Sequence, residues 1–216
     1  MDAPLRFPSG VYGITPEWED TDRLLDAISA AAAGGMVALQ WRRKTATLQT
    51  GPEQARRVVA HCQSLGVLAI INDDWRLAIL TGADGVHLGR SDGELPEARL
   101  ALGQQKILGC SCYNDVGLAQ QALAAGVDYI AFGAMYPSTI KPDAPRATIQ
   151  HIAQGRQLAA AYSPGPRAAV VVIGGITPDN AAPLIAAGAD SLALINGLFE
   201  RPDIQATAAQ LAMLWH

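Results

Sequence analysis

Only 17% of the 216 residues are charged, 6% are aromatic, and cysteine occurs three times. Each scarcity excludes something. Cys62, Cys110 and Cys112 are odd in number and unpaired in spacing, which argues against a disulfide framework and for a reducing, cytoplasmic compartment. Cys110-Ser111-Cys112 is no zinc signature, and the plain expectation for such thiols is burial as packing residues. The four histidines, His61, His87, His151 and His216, are scattered and form no HExxH group, so a transition-metal site is not expected. A net charge of −4 offers no basic surface for nucleic acid, although one local cationic pocket is compatible with it. No apolar run approaches the roughly 18 residues of a membrane span. Residues 1–10 carry Pro4 and Pro8 and lack the apolar stretch of a signal peptide.

What is present is a chain that is 50% hydrophobic and long enough to bury a core without staples. One phrase recurs: Gly82-Ala83-Asp84, Gly126-Val127-Asp128 and Gly188-Ala189-Asp190 each follow a helical stretch and precede an apolar run. The glycine suits a left-handed helix C-cap, so this reads as a helix-to-strand connection used three times. Short apolar runs predict strands over 11–14, 37–40, 67–71, 85–88, 106–109, 129–132, 169–173 and 191–194. Helical spacing over 22–33, 115–125 and 178–187, with Pro52 opening a further helix and Thr177 as an N-cap, fills the intervals. The 216 residues over eight such units leave about 27 each, which predicts an α/β fold, a single (β/α)8 TIM barrel over 1–216. Residues 1–10 read as an irregular N-terminal extension. A doubly wound open sheet is the alternative.

In a barrel, chemistry collects at the C-terminal strand ends. The second strand runs into Gln40-Trp41-Arg42-Arg43-Lys44, whose guanidinium forks and ammonium suit phosphate oxygens. The third runs into Asn72-Asp73-Asp74, offering a magnesium ligand in Asp73, with a helix N-cap as the competing use of either aspartate. Asp92, after the fourth, is a second carboxylate, and magnesium is commonly held by one or two carboxylates plus substrate phosphates. Ser111 follows the fifth, with no His/Asp pattern marking it as a nucleophile. A long loop over 133–146 carries Ser138, Thr139, Ile140 and Lys141 and reads as an active-site loop. Gly174-Gly175 after the seventh strand and Ile195-Asn196-Gly197 after the eighth precede helices, where backbone N–H groups can meet an anion. A solvated charge run or a plain tight turn competes with each of these functional readings.

With these segments the chain resembles the thiamine-phosphate synthase (thiamine-phosphate pyrophosphorylase) family. The matching segments are Gln40-Trp41-Arg42-Arg43-Lys44, Ile71-Asn72-Asp73, Gly82 to Gly89, Asp92, Gly109 to Ser111, Pro137 to Pro142, and Ile173-Gly174-Gly175-Ile176. They stand in family order over nearly the whole chain. The resemblance implies a TIM barrel that joins a hydroxymethylpyrimidine diphosphate to a thiazole phosphate, releasing diphosphate. It implies a pyrimidine diphosphate site at Gln40, Trp41, Arg42, Arg43, Lys44, Asn72, Ser111 and Lys141. Mg²⁺ would lie on Asp73 and Asp92. Thiazole phosphate would lie on Ser138, Thr139, Ile140, Gly175, Ile195 and Asn196. Lys141, Arg42 and Ser111 would carry the chemistry. The expected partners are these small molecules, with self-association left open.

Two positions depart from the family pattern. Ile140 stands where a second threonine is usual, and Asn196 where a serine is usual. A thiazole tautomerase on the same fold, or a non-catalytic thiamine-phosphate sensor, are the alternatives. Retention of Arg42, Lys44, Asp73 and Asp92 argues against both.

Overall fold

Eight parallel strands pair in chain order and the last pairs with the first, closing the barrel in the computed structural model, which describes residues 4–45, 47, 50–90, 92–137, 146–162 and 165–215. The strands are β1 (Gly10–Ile14), β2 (Met36–Trp41), β3 (Leu68–Asn72), β4 (Gly85–Leu88), β5 (Ile107–Tyr113), β6 (Tyr129–Phe132), β7 (Ala169–Ile173) and β8 (Ser191–Leu194). Around them lie α1 (Thr21–Ala33), α2 (Thr50–Ser64), α3 (Trp75–Thr81), α4 (Leu95–Leu102), α5 (Val116–Ala124), α6 (Ile149–Tyr162), α7 (Pro178–Ala186), α8 (Asn196–Phe199) and α9 (Ile204–Ala212). The fifth strand continues to Tyr113 instead of ending at 109. A register shift between Ser111 and Tyr113 lets it stay paired with β6. Ser111 therefore sits within a strand and not beyond it.

Side chains alternate across each strand, and the alternation sorts the core into two layers. Leu39, Trp41, Ile71, Val86, Leu108, Ile130, Val172 and Leu192 face outward against helix residues such as Leu24, Ile28, Val58 and Val59. Tyr12, Ile14, Ala38, Ile70, Tyr129, Ala131, Val171 and Ala193 fill the barrel interior together with Phe7, from the segment before β1. That segment is irregular, yet it is anchored: Leu5 bridges to Arg167, and the Phe7 ring lies 4.5 Å from that of Tyr129. The three cysteines are free and buried.

The recurring Gly-x-Asp phrase is a joint at the N-terminal strand ends. Gly82, Gly126 and Gly188 all take positive φ (72°, 78° and 106°), where glycine pays no Cβ penalty. The aspartate that follows each one caps the strand next door. Asp84 accepts from Ala69 N at 2.7 Å, Asp128 from Leu108 N at 2.8 Å, and Asp190 from Val170 N at 2.8 Å. Asp128 is paired with Arg99, and Asp190 is held bidentately by Arg167, at 2.7 and 2.8 Å. This end of the barrel is built for stability, leaving the opposite end for loops and chemistry.

Candidate active site

Alternation decides which residues of the charged strand ends can act together. Gln40 shares the inward parity of Ala38, and Arg42 continues it. A cavity of about 580 Å³ opens at the C-terminal ends of the strands, a usual size for a small-ligand site. Gln40, Arg42, Lys44, Asn72, Asp73, Asp92 and Ser111 line one side, and Gly174, Gly175, Ile195, Asn196 and Gly197 line the side formed by β7 and β8. Apolar walls from Ile14, Val171, Ile173 and Ala193 lie between. Trp41 and Arg43, expected at the same site, have the opposite parity and turn toward the helices. Trp41 donates from Nε1 to Gln54 Oε1 at 3.1 Å, and Arg43 donates to the same oxygen at 3.0 Å and to Trp18 O at 2.8 Å. Ser138, Thr139, Ile140 and Lys141 lie outside the described residues.

The cationic end is held by residues that no motif signalled. Thr15 ties β1 to β2, its hydroxyl donating to Arg42 O at 3.0 Å and accepting from Arg42 N at 2.8 Å. Glu17 accepts from Arg42 Nη1 at 3.0 Å, from the backbone N–H of Lys44 at 3.1 Å and from the Thr45 hydroxyl at 2.9 Å. Burial pushes the Glu17 carboxyl up, but the donated N–H and O–H groups and the Arg42 charge outweigh it, and its pKa is lowered. Glu17 is thus an anion that clamps the loop after β2 from behind.

The carboxylates divide their work. Asp74 is the N-cap of α3 and accepts from Leu77 N at 2.9 Å. Asp73 takes φ 66°, an unusual backbone for a non-glycine residue, and so turns into the cavity. Its Oδ2 lies 3.3 Å from Lys44 Nζ. Burial, then a hydrogen bond and repulsion from Asp92, raise the Asp73 pKa against the opposing pull of Lys44. Asp92 is itself fixed by Gly89, whose N–H donates to Oδ2 at 2.7 Å. Asp73 and Asp92 thus offer two carboxylates to one place in the cavity beside Lys44, a donor set that fits a hard divalent ion. Among the described residues no group of three or more His, Cys, Asp and Glu side chains surrounds a metal position. A cation here would complete its shell from phosphate and water.

The barrel floor under this end is a row of polar side chains bonded to one another. Gln40 Nε2 donates to Tyr12 OH at 2.9 Å. The Tyr12 and Tyr129 hydroxyls are 2.9 Å apart, Tyr129 OH is 2.9 Å from His87 Nδ1, and His87 Nε2 is 2.8 Å from Ser111 Oγ. Burial lowers the His87 pKa to about 4, against a small upward pull from Asp92, so the imidazole is neutral at physiological pH.

The opposite end depends on close backbone approach. Residues 133–137 run beside the end of β7, with Met135 N donating to Ile173 O and Tyr136 N to Gly174 O, both at 2.9 Å. A Cβ on Gly174 would meet Ala134 Cα at 2.6 Å, and one on Gly175 would meet Tyr136 Cβ at 2.9 Å, with both glycines at positive φ. Asn180 locks the turn, donating from Nδ2 to Gly175 O at 3.0 Å and accepting from Thr177 N at 2.8 Å. Arg201, from the segment after α8, also lines this side.

Residues 11–198 match the family model described as thiamine monophosphate synthase. The chain belongs to the thiamine monophosphate synthase family. The thiamine-phosphate synthase of Bordetella pertussis is 54% identical over 208 residues, 96% of this chain and 95% of that protein. That of Thiobacillus denitrificans is 49% identical over 209 residues, 97% and 96% of the two chains. Among solved structures, the thiamine phosphate pyrophosphorylase of Pyrococcus furiosus superposes with a TM-score of 0.80 at 25% identity, covering 97% of this chain and 96% of that one. This member of the thiamine monophosphate synthase family is a transferase built on the TIM barrel, and its charged strand ends lie where the fold places its active face. No described helix is long and apolar enough to cross a membrane.

Proposed function

We infer that the chain acts as a thiamine-phosphate synthase, joining 4-amino-2-methyl-5-(diphosphooxymethyl)pyrimidine to 4-methyl-5-(2-phosphoethyl)thiazole with release of diphosphate. The observation that carries this reading is the pairing of Asp73 with Asp92 beside Lys44 and Arg42, at one end of a cavity whose other end is glycine-rich. A site for one phosphate monoester has no use for two carboxylates among its cations, whereas a magnesium diphosphate can use both.

Arg42, Lys44 and Asn72 hold the diphosphate of the pyrimidine substrate, and Asp73 and Asp92 would hold Mg²⁺. When bound, the magnesium ion supplies Lewis-acid neutralisation of the leaving diphosphate. Gln40 and Ser111 meet the pyrimidine end, and Lys141 contacts the leaving diphosphate. Gly175, Ile195 and Asn196, with Ser138 to Ile140, hold the thiazole phosphate.

In the reaction the pyrimidine CH₂–O bond breaks and its electron pair leaves with the diphosphate. The thiazole nitrogen donates its lone pair to the resulting carbocation, forming the C–N bond. No proton has to be removed at the reacting atoms, so the protein contributes alignment and charge stabilisation. The apolar wall between the two ends suits this role, because it offers no competing base or nucleophile.

The test is to incubate the protein with both substrates, with and without Mg²⁺, and to measure thiamine phosphate. The expected outcome is product only when both substrates and metal are present. Product from a single substrate, or undiminished product in excess chelator, would refute the assignment.

A further inference from the structure

The floor of the cavity holds an unbroken row of five polar side chains on five different strands: Gln40, Tyr12, Tyr129, His87 and Ser111. Tyr12 and Tyr129 are at most 1% exposed and His87 8%, so the interior protons of the row bond within it. Each hydroxyl has one proton to give, and a neutral imidazole has one. The row therefore has a direction, and one end sets it.

Gln40 presents its amide N–H to Tyr12, so the Tyr12 oxygen accepts there and its own proton goes to Tyr129. The Tyr129 proton then goes to His87 Nδ1, which must be bare to accept it. The imidazole proton is left on Nε2 and is given to Ser111 Oγ. Ser111 accepts from below, and its proton is left for the cavity. The reverse direction would set the Tyr12 proton against the Gln40 N–H, donor against donor, in the buried interior. A charged imidazole fails as well, because Tyr129 would face a donor on Nδ1 with nowhere to send its own proton.

We infer that Tyr12, Tyr129 and His87 are positioning residues, a one-way hydrogen-bond chain that holds His87 with its proton on Nε2 and leaves the Ser111 proton free to be given into the cavity. The group that takes this proton is an acceptor, such as a phosphate oxygen or a ring nitrogen lone pair. The inference deepens the synthase reading and rests on it for the identity of the substrate, but the state of His87 belongs to the ligand-free protein.

Two measurements test it. In ¹⁵N-histidine-labelled wild-type protein without ligands, at neutral pH, the His87 resonances, assigned by their loss in His87→Gln, should show a protonated Nε2 and a bare Nδ1. The opposite tautomer, or an averaged mixture, overturns the chain. This result does not depend on the reaction, so it stands or falls apart from the synthase assignment. In the synthase assay, Tyr129→Phe should lower kcat by about ten- to a hundredfold. The same change made in a Ser111→Ala background should cost no more than about twofold further, because residues acting through one another are not additive. Full additivity would mean that Tyr129 has a structural role only. Thermal melting of each variant guards the kinetic comparison, and the wild-type spectrum holds even if Tyr129→Phe fails to fold.

Discussion

Gly109 should tolerate no side chain. A Cβ built on it falls inside the Tyr129 ring, so alanine cannot be accommodated by a few tenths of an ångström of adjustment. Tyr129 cannot retreat freely either. Its ring lies 4.5 Å from Phe7 and 5.5 Å from His87, and its hydroxyl is bonded at 2.9 Å to both Tyr12 and His87. Overpacking a core costs about 1–3 kcal/mol. Moving the ring also breaks the two hydroxyl bonds, each worth about 1 kcal/mol. Gly109→Ala should therefore lose about 3–5 kcal/mol. For a chain of this size 1 kcal/mol moves Tm by about 2–4 °C, so the fall is about 6–20 °C, read by circular dichroism on heating. Gly126→Ala is the control: nothing lies within 4 Å of its Cβ, and only the φ of 78° opposes alanine, at about 1–2 kcal/mol. If Gly109→Ala melted within a few degrees of the wild type, or no lower than Gly126→Ala, the packing argument would fail.

Other outcomes follow from the buried charges. Arg167→Ala leaves Asp190 with a buried charge only partly answered by Arg156, which lies 3.1 Å away, and should cost about 3 kcal/mol by urea unfolding. Arg57→Ala, which breaks an exposed pair with Asp22, should cost under about 1 kcal/mol. His87 has a folded pKa near 4 against about 6.5 when unfolded, so the unfolded chain binds the extra proton in that window. Stability should fall as pH drops from 6.5 toward 4, by roughly 3 kcal/mol from this group, and His87→Gln should flatten that slope. For Asp73 the sign is reversed, because its folded pKa is raised and the ionised form is the destabilised one. Asp73→Asn should therefore melt higher than the wild type at neutral pH without metal, lose part of that advantage below the carboxylate range, and abolish magnesium-dependent turnover. What remains of the advantage at low pH reports the easier fit of asparagine at φ 66°.

The barrel was legible because each strand is a short apolar run and three of the returns to the sheet repeat Gly-x-Asp. The charged strand ends were legible because they interrupt those runs. Trp41 and Arg43 show how far such reading reaches. They sit inside the densest motif of the chain, yet period-two alternation sends them to the helix side, and a motif match ignores parity. Tyr12, Tyr129 and Glu17 show what was hidden. Tyr12 meets Tyr129 across 117 positions, and Glu17 meets the Arg42 side chain across 25. No local pattern marks such contacts. They exist only once the barrel has closed.

The cavity has two chemically distinct ends, and the steady-state kinetics of two variants test this most directly. Arg42→Ala should raise KM for the pyrimidine diphosphate and leave KM for the thiazole phosphate near its wild-type value. Asn196→Ala should do the reverse. If both substitutions moved the same KM, or each moved both equally, the two-ended site would be contradicted.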